Sequence, residues 1–332
     1  MDGIKGLILT PLLFAIVLAY LLCPVVDYLE RQRISRWAAI AIIYLFFAVL
    51  LVIFCLNVFP VLIEELQQLL LTLPEYTEKF MLFITHLENS FRRFNLPEGI
   101  QNTLKENIQQ LQSSLTLNLE KLSQFMLAFF RQAFALLLVP LFAFYILRDN
   151  ALLKKRFLQL IPPSSRLLAE KTLHEINITL GAYLRGIFII SLSVGIMIYL
   201  GLLILGVQFA LFFGILNALT NVIPYFGPLI GAVPVLLTAF FQSSALFWKV
   251  LLLIVIVQQV ESQFITPQIL GRSLHFHPLL VIIALLVGGM YMGFFGLIVI
   301  IPLMAILRII LRHFYPVIIQ SLRKETGKKD QS

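Results

Sequence analysis

At 332 residues the chain is long enough for two soluble domains, but 60% of it is apolar, only 13% is charged, and its mean hydropathy is +0.94. A water-soluble globule sits nearer half apolar and a quarter charged, so a water-facing shell could not cover this much apolar surface. The formal charge of +8 comes with no polar segment that interleaves aromatic and basic side chains, which argues against nucleic acid as a partner and leaves the lipid bilayer as the solvent.

Crossing a bilayer as a helix takes about 20 apolar residues. Residues 7–23, 37–59, 125–147 and 180–205 meet that length. Beyond them the apolar runs shorten to 209–219, 229–241, 247–265, 279–290 and 294–311, and Gly and Pro break them up. Short, interrupted runs of this kind predict discontinuous or re-entrant helices. No basic region and small-residue cleavage site flank the first run, so it is read as a span and not as a cleaved signal. Cys23 and Cys55 both sit in apolar runs, with no disulfide or metal spacing.

Charge bias sets the expected orientation. Arg31, Arg33 and Arg36 follow the first run, Arg148, Lys154, Lys155 and Arg156 follow the third, and Arg312, Arg323, Lys324, Lys328 and Lys329 close the chain. Residues 60–124 hold eight acids against five bases. The positive-inside rule then puts the basic segments and the C-terminus in the cytoplasm, with residues 60–124 and the N-terminus outside. Within 60–124, Tyr76, Phe80, Phe83, Ile84, Leu87, Phe91 and Phe94 recur at steps of three and four, as do Ile100, Leu104, Ile108, Leu111 and Leu115. Pro74 and Asn95-Leu96-Pro97 are the expected breaks of a small antiparallel helical module, with packing on a neighbour or on the membrane surface as the alternative.

The expected organisation is all-α: two membrane helices in 1–59, an external amphipathic segment in 60–124, a third span in 125–147 and a basic cytoplasmic segment in 148–179. A C-terminal core with broken hairpins fills 180–313, and a basic tail fills 314–332. This is a polytopic membrane protein of about seven to eight transmembrane helices, short or re-entrant ones included.

Ionisable groups inside such spans cost about 2.5–3.5 kcal/mol each on the insertion scale and mark functional positions. Between Glu175 and Glu325 there is one acid, Glu261, within the polar knot Gln258-Gln259-Val260-Glu261-Ser262-Gln263. Glu261 with Gln258 and Gln263 suits a proton, a monovalent cation or a polyhydroxylated solute. The structural alternative is an ion pair of Glu261 with Arg272 or Arg185. Arg131 lies about two turns into its span, where it either reaches the interface or faces the path. Asn217, Thr220 and Asn221 precede Pro224, Gly227 and Pro228, a stretch that cannot continue a helix and that lipid tolerates only when it is buried or lines a cavity, the alternative being a tight loop at the membrane surface. Gly288, Gly289, Gly293 and Gly296, followed by Pro302, predict close helix packing ahead of a moving hinge. His275 and His277 lack further ligands at metal spacing, and no nucleophile elbow, phosphate loop or dinucleotide fingerprint occurs. No enzyme, cofactor or metal is therefore expected.

The strings PLFAFYILRD (140–149), GAYLRG (181–186), NVIPYFGP (221–228) and ESQFITPQILGR (261–272), followed by His277-Pro278, the glycine-rich 288–296 and Pro302, stand in the order found in the autoinducer-2 exporter family of bacterial permeases. AYLLCP (19–24) ahead of the basic turn fits as well, so the chain resembles that family over nearly its whole length. The resemblance implies an all-helical inner-membrane protein of about eight helices that forms a homo-oligomer and moves a small polar solute. Some members export autoinducer-2, the quorum-sensing signal, and others exchange sodium or lithium for protons. Three departures stand out. The family's usual leading helix is not seen ahead of Leu12, Ile187 replaces a usual Gln, and Gln263 replaces a usual Asn. Three functions follow: export of a small polar solute, cation/proton antiport at Glu261, or a scaffold that works through residues 60–124.

Overall fold

The computed structural model describes residues 2–92, 138–270 and 276–329. Eleven α-helices and no strand occur among the described residues: α1 (Asp2–Arg31), α2 (Arg36–Asn57), α3 (Phe59–Arg92), α4 (Leu138–Arg148), α5 (Asn150–Gln159), α6 (Arg166–Leu205), α7 (Ala210–Thr220), α8 (Phe226–Gln242), α9 (Ser244–Val260), α10 (Thr266–Leu270) and α11 (Pro278–Lys329). Among the described residues five stretches are long and apolar enough to cross a bilayer: Pro11–Arg31, Arg36–Asn57, Pro163–Leu205, Ser244–Leu270 and Gly296–Phe314. Ala210–Thr220, Phe226–Gln242 and Pro278–Tyr291 are shorter apolar helices, so the chain is an all-α polytopic membrane protein with the short segments its hydropathy predicts.

Lipid as solvent explains a surface that would be untenable in water. Only Ala39, Ile40 and Ile43 of α2 are buried, while Leu56 is 71% exposed. Proline behaves accordingly. Pro11 and Pro24 lie inside α1 and Pro234 inside α8 without ending either helix. Pro74 likewise fails to break α3, against expectation, because one lost hydrogen bond is tolerated in a helix that neighbouring contacts hold in place.

Three apolar clusters organise the described residues. The first joins α1, α2 and α4 through Ala15, Val26, Ile40, Ala143 and Leu147. Arg36 ties it together: its Nε donates to the Leu147 carbonyl at 2.7 Å, and one terminal nitrogen meets Asp27 at 3.1 Å and Glu30 at 2.7 Å. The second cluster packs α6 against α7, α8 and α9, with Leu66 and Leu69 of α3 added from outside. Leu66, Leu69 and Tyr76 of α3 thus lie on the membrane core: Tyr76 stacks on Phe241 with centroids 4.9 Å apart and donates to Gln208 at 3.2 Å, while Glu65 accepts the Phe212 backbone N–H at 2.7 Å. The third cluster joins α6, Ile223 and both arms of α11, with Val17 and Tyr20 of α1 beside it.

Helix α6 extends well past the expected start of its span. Its 40 residues make a rod of roughly 60 Å, about twice the hydrocarbon thickness. At its basic end Glu175 accepts a bond from Arg312 and lies 3.4 Å from His313, both on the tail of α11. The second external stripe (Ile100–Leu115), the break at 95–97, Arg131, and the loop carrying Gly271, Arg272 and His275 lie outside the described residues.

Candidate functional site

One helical hairpin carries the site, and a second, within α11, packs against Ile223 of its turn. Helix α7 stops at Thr220, and the turn 221–225 reverses the chain into α8. Asn221 donates its backbone N–H to Asn217, Ile223 to Thr220 and Gly227 to Ile223, so the turn satisfies most of its own backbone before Pro224 and Pro228 remove donors. The two legs approach closely: a methyl placed on Gly227 would sit 2.0 Å from the Thr220 carbonyl oxygen. Asn217 is buried and spends both amide hydrogens on the hairpin, donating to Phe213 at 2.9 Å and to the Gly231 carbonyl at 3.3 Å. Asn217 is therefore a clamp between the legs, while Asn221, four residues on, is the one whose side chain leaves the hairpin.

The second hairpin lies within α11. Gly293 takes φ 57° and ψ −139°, a conformation that interrupts the helix. A methyl on Gly288 would fall 2.6 Å from the Gly296 carbonyl oxygen, and one on Gly289 would fall 3.2 Å from Leu297. Along a continuous helix, residues eight apart stand about 12 Å apart, so these contacts require a chain reversal. The glycines thus act in packing and in the turn, and Pro302 continues within the second arm.

The crossing 244–270 packs against α8 of the first hairpin and against α6. Helix α9 gives way at Glu261–Ile265 to a π-turn in which the Thr266 N–H reaches back to the Glu261 carbonyl. Pro267 explains it: its ring would crowd the carbonyl four residues earlier, and one extra residue in the turn relieves that crowding without ending the helix. The turn places Glu261 against the first hairpin. Asn221 Nδ2 donates to Glu261 Oε1 at 3.0 Å, across 40 positions of sequence. Glu261 Oε2 and Asn221 Oδ1 are both buried, and neither has a hydrogen-bond partner among the described residues.

Glu261 makes no ion pair among the described residues. Arg185, one of its two expected partners, instead points at the Tyr20 carbonyl of α1 at 3.4 Å, and the other, Arg272, lies outside them. Gln258 is half-buried one turn before Glu261, whereas Gln263 is exposed and donates to Gln259 at 3.2 Å. His277 accepts the Leu279 N–H and caps α11. Sequence reasoning missed Tyr225, at the first hairpin's tip, which holds φ 65° although it is not glycine and is 59% exposed. Strained backbone of this kind costs about 1–3 kcal/mol and concentrates at functional sites. The only hint was its place between Pro224 and Gly227. A carboxylate and an amide oxygen lacking donors can receive hydroxyl or amine hydrogens, a proton or a cation, and they repel an anion.

The family described as AI-2E family transporter matches residues 5–315 of this chain. Among curated relatives, YrrI of Bacillus subtilis, provisionally named a transport protein, is 31% identical over 315 residues, covering 92% of this chain and 86% of its own. YueF of the same organism, also provisionally named a transport protein, is 31% identical over 306 residues, covering 90% and 82%. PerM of Escherichia coli, provisionally named a permease, is 28% identical over 313 residues, covering 93% and 88%.

Proposed function

Because the chain belongs to the AI-2E transporter family, we propose that it is a secondary permease of the bacterial inner membrane that passes a small, hydroxyl-bearing polar solute of the autoinducer-2 kind along a path between its two hairpins. The observation that carries this reading is the pair of donor-less buried oxygens on Glu261 and Asn221 where the first hairpin meets the π-turn. A polyhydroxylated solute brings the hydrogens those oxygens lack, and Gln258 adds a neutral amide one turn away. The same pair favours a second reading, antiport, in which a proton and a monovalent cation alternate on Glu261. In both readings the basic segments and the C-terminus face the cytoplasm and the N-terminus faces outside, as the charge bias requires.

Efflux from proteoliposomes, for wild type and Glu261→Gln under imposed proton and sodium gradients, tests the proposal. Under the first reading wild type releases autoinducer-2 and the variant is slower. Under the second, sodium drives proton movement in wild type and not in the variant. No flux of solute or ion under any gradient defeats both.

A further inference from the structure

We propose that α5 and the turn after it form an in-plane anchor whose apolar stripe enters the leaflet on the basic side of the membrane and whose cations hold anionic phospholipid headgroups. Helix α5 has ten residues and none is buried. A helix shorter than about 12–15 residues is marginal in water, so one with no protein-covered face needs another support. Three of the four exposed large apolar side chains of α5 and the turn form a stripe: Leu153, Phe157 and Leu160 are 51%, 51% and 83% exposed, while Leu152, 46% exposed, lies outside it beyond Arg156. At about 100° per residue these three fall within roughly 60° of one another. Arg156 flanks the stripe on one side and Lys154 on the other, where long side chains can rise to the headgroups while the stripe sinks.

The occupant follows from charge and continuity. No acid lies between Asn150 and Ser165, a stretch with three Lys and Arg. Lys154 is held by Glu170 at 2.9 Å, but Lys155 and Arg156 make no ion pair among the described residues. Helix α4 ends one residue before α5 and carries apolar surface up to that point, with Leu141 and Tyr145 about half exposed. Pro162 and Pro163 then turn the chain into α6. The segment therefore leaves α4 at the basic end of that apolar helix and joins the polar start of α6, and the apolar phase next to the end of α4 is the leaflet itself. A polybasic segment near an anionic surface gains affinity with each Lys or Arg.

Site-directed spin labelling of the full chain tests this, in a background with Cys23 and Cys55 changed to Ser and single cysteines at 153, 155 or 157. The protein is reconstituted in phosphatidylcholine with or without phosphatidylglycerol. Labels at 153 and 157 should be accessible to oxygen and shielded from a nickel chelate, and the label at 155 the reverse. In a lipid-competition measurement on otherwise wild-type protein, Arg156→Gln, beside the stripe, should lower the preference for phosphatidylglycerol by roughly fivefold, and Lys155→Gln, on the opposite face, should lower it less. Labels at 153 and 157 as nickel-accessible as that at 155 would overturn the proposal. So would labels shielded from both reagents, which would mean that protein covers the stripe, and so would an Arg156→Gln variant whose lipid preference does not change.

Discussion

Asn221 and Glu261 meet at 3.0 Å although one belongs to a hairpin turn and the other opens a π-turn 40 residues later. Each keeps one oxygen without a donor, so the contact leaves both side chains half-satisfied. Asn221→Leu should remove the one hydrogen bond to the carboxylate, destabilise the fold by about 1–3 kcal/mol and abolish flux. Glu261→Gln preserves an acceptor for Asn221, so thermal unfolding in detergent should stay close to wild type while flux falls. A Glu261→Gln variant that transports at the wild-type rate would remove Glu261 from the path.

The glycine contacts rank themselves. Gly227→Ala drives a methyl against the Thr220 backbone and Gly288→Ala drives one against the Gly296 carbonyl, and neither neighbour is a flexible side chain that can step aside. Overpacking of this kind costs about 1–3 kcal/mol, with position 227 the worse of the two. Gly206→Ala meets no neighbour within 4 Å and carries only the penalty of its φ of 71°, about 1 kcal/mol. Unfolding temperatures of the three variants should fall in that order.

Arg36 closes the bundle of α1, α2 and α4 by capping the carbonyl end of α4. Asp27 and Glu30 are about half exposed, so their ion pairs contribute little beside the bond to Leu147. Arg36→Ala should cost about 1–2 kcal/mol, and Arg36→Lys should recover little of it, because a lysine cannot serve the carbonyl and the carboxylates at once. Thermal denaturation of the pair of variants decides this.

Tyr76 fastens α3 to the core, and burial pushes its phenol above the ordinary tyrosine value of 10.0. The fold therefore favours the protonated form. The stabilisation is intact below the unfolded pKa and is lost as pH rises toward the folded one, so protease protection of α3 should decline above about pH 10. Tyr76→Phe keeps the stack on Phe241, loses the bond to Gln208 and should remove that alkaline step.

Hydropathy made the membrane class, the long spans and the short broken helices legible, because a run such as residues 37–59 has no soluble alternative. The break at 221–228 was legible for the same local reason: two prolines and a glycine leave no helical continuation. Pro74 was misread because an isolated proline removes one bond and its consequence depends on neighbours that a sequence does not show. The start of α6 was hidden because its first turns are polar and hydropathy marks only the part in lipid. Glu261 stood out as a lone acid, but its partner did not. Asn217 and Asn221 look alike in sequence, and only the hairpin geometry makes one a clamp and leaves the other facing Glu261.

Helix α6 contains no proline and ends only at Gly206, so from Arg166 to Leu205 it has no joint. The Glu175 contacts with the tail of α11 lie at one end, and the loop that α3 braces follows the other. One unbroken element thus carries, at its two ends, both the contacts with the tail of α11 and the loop braced by α3.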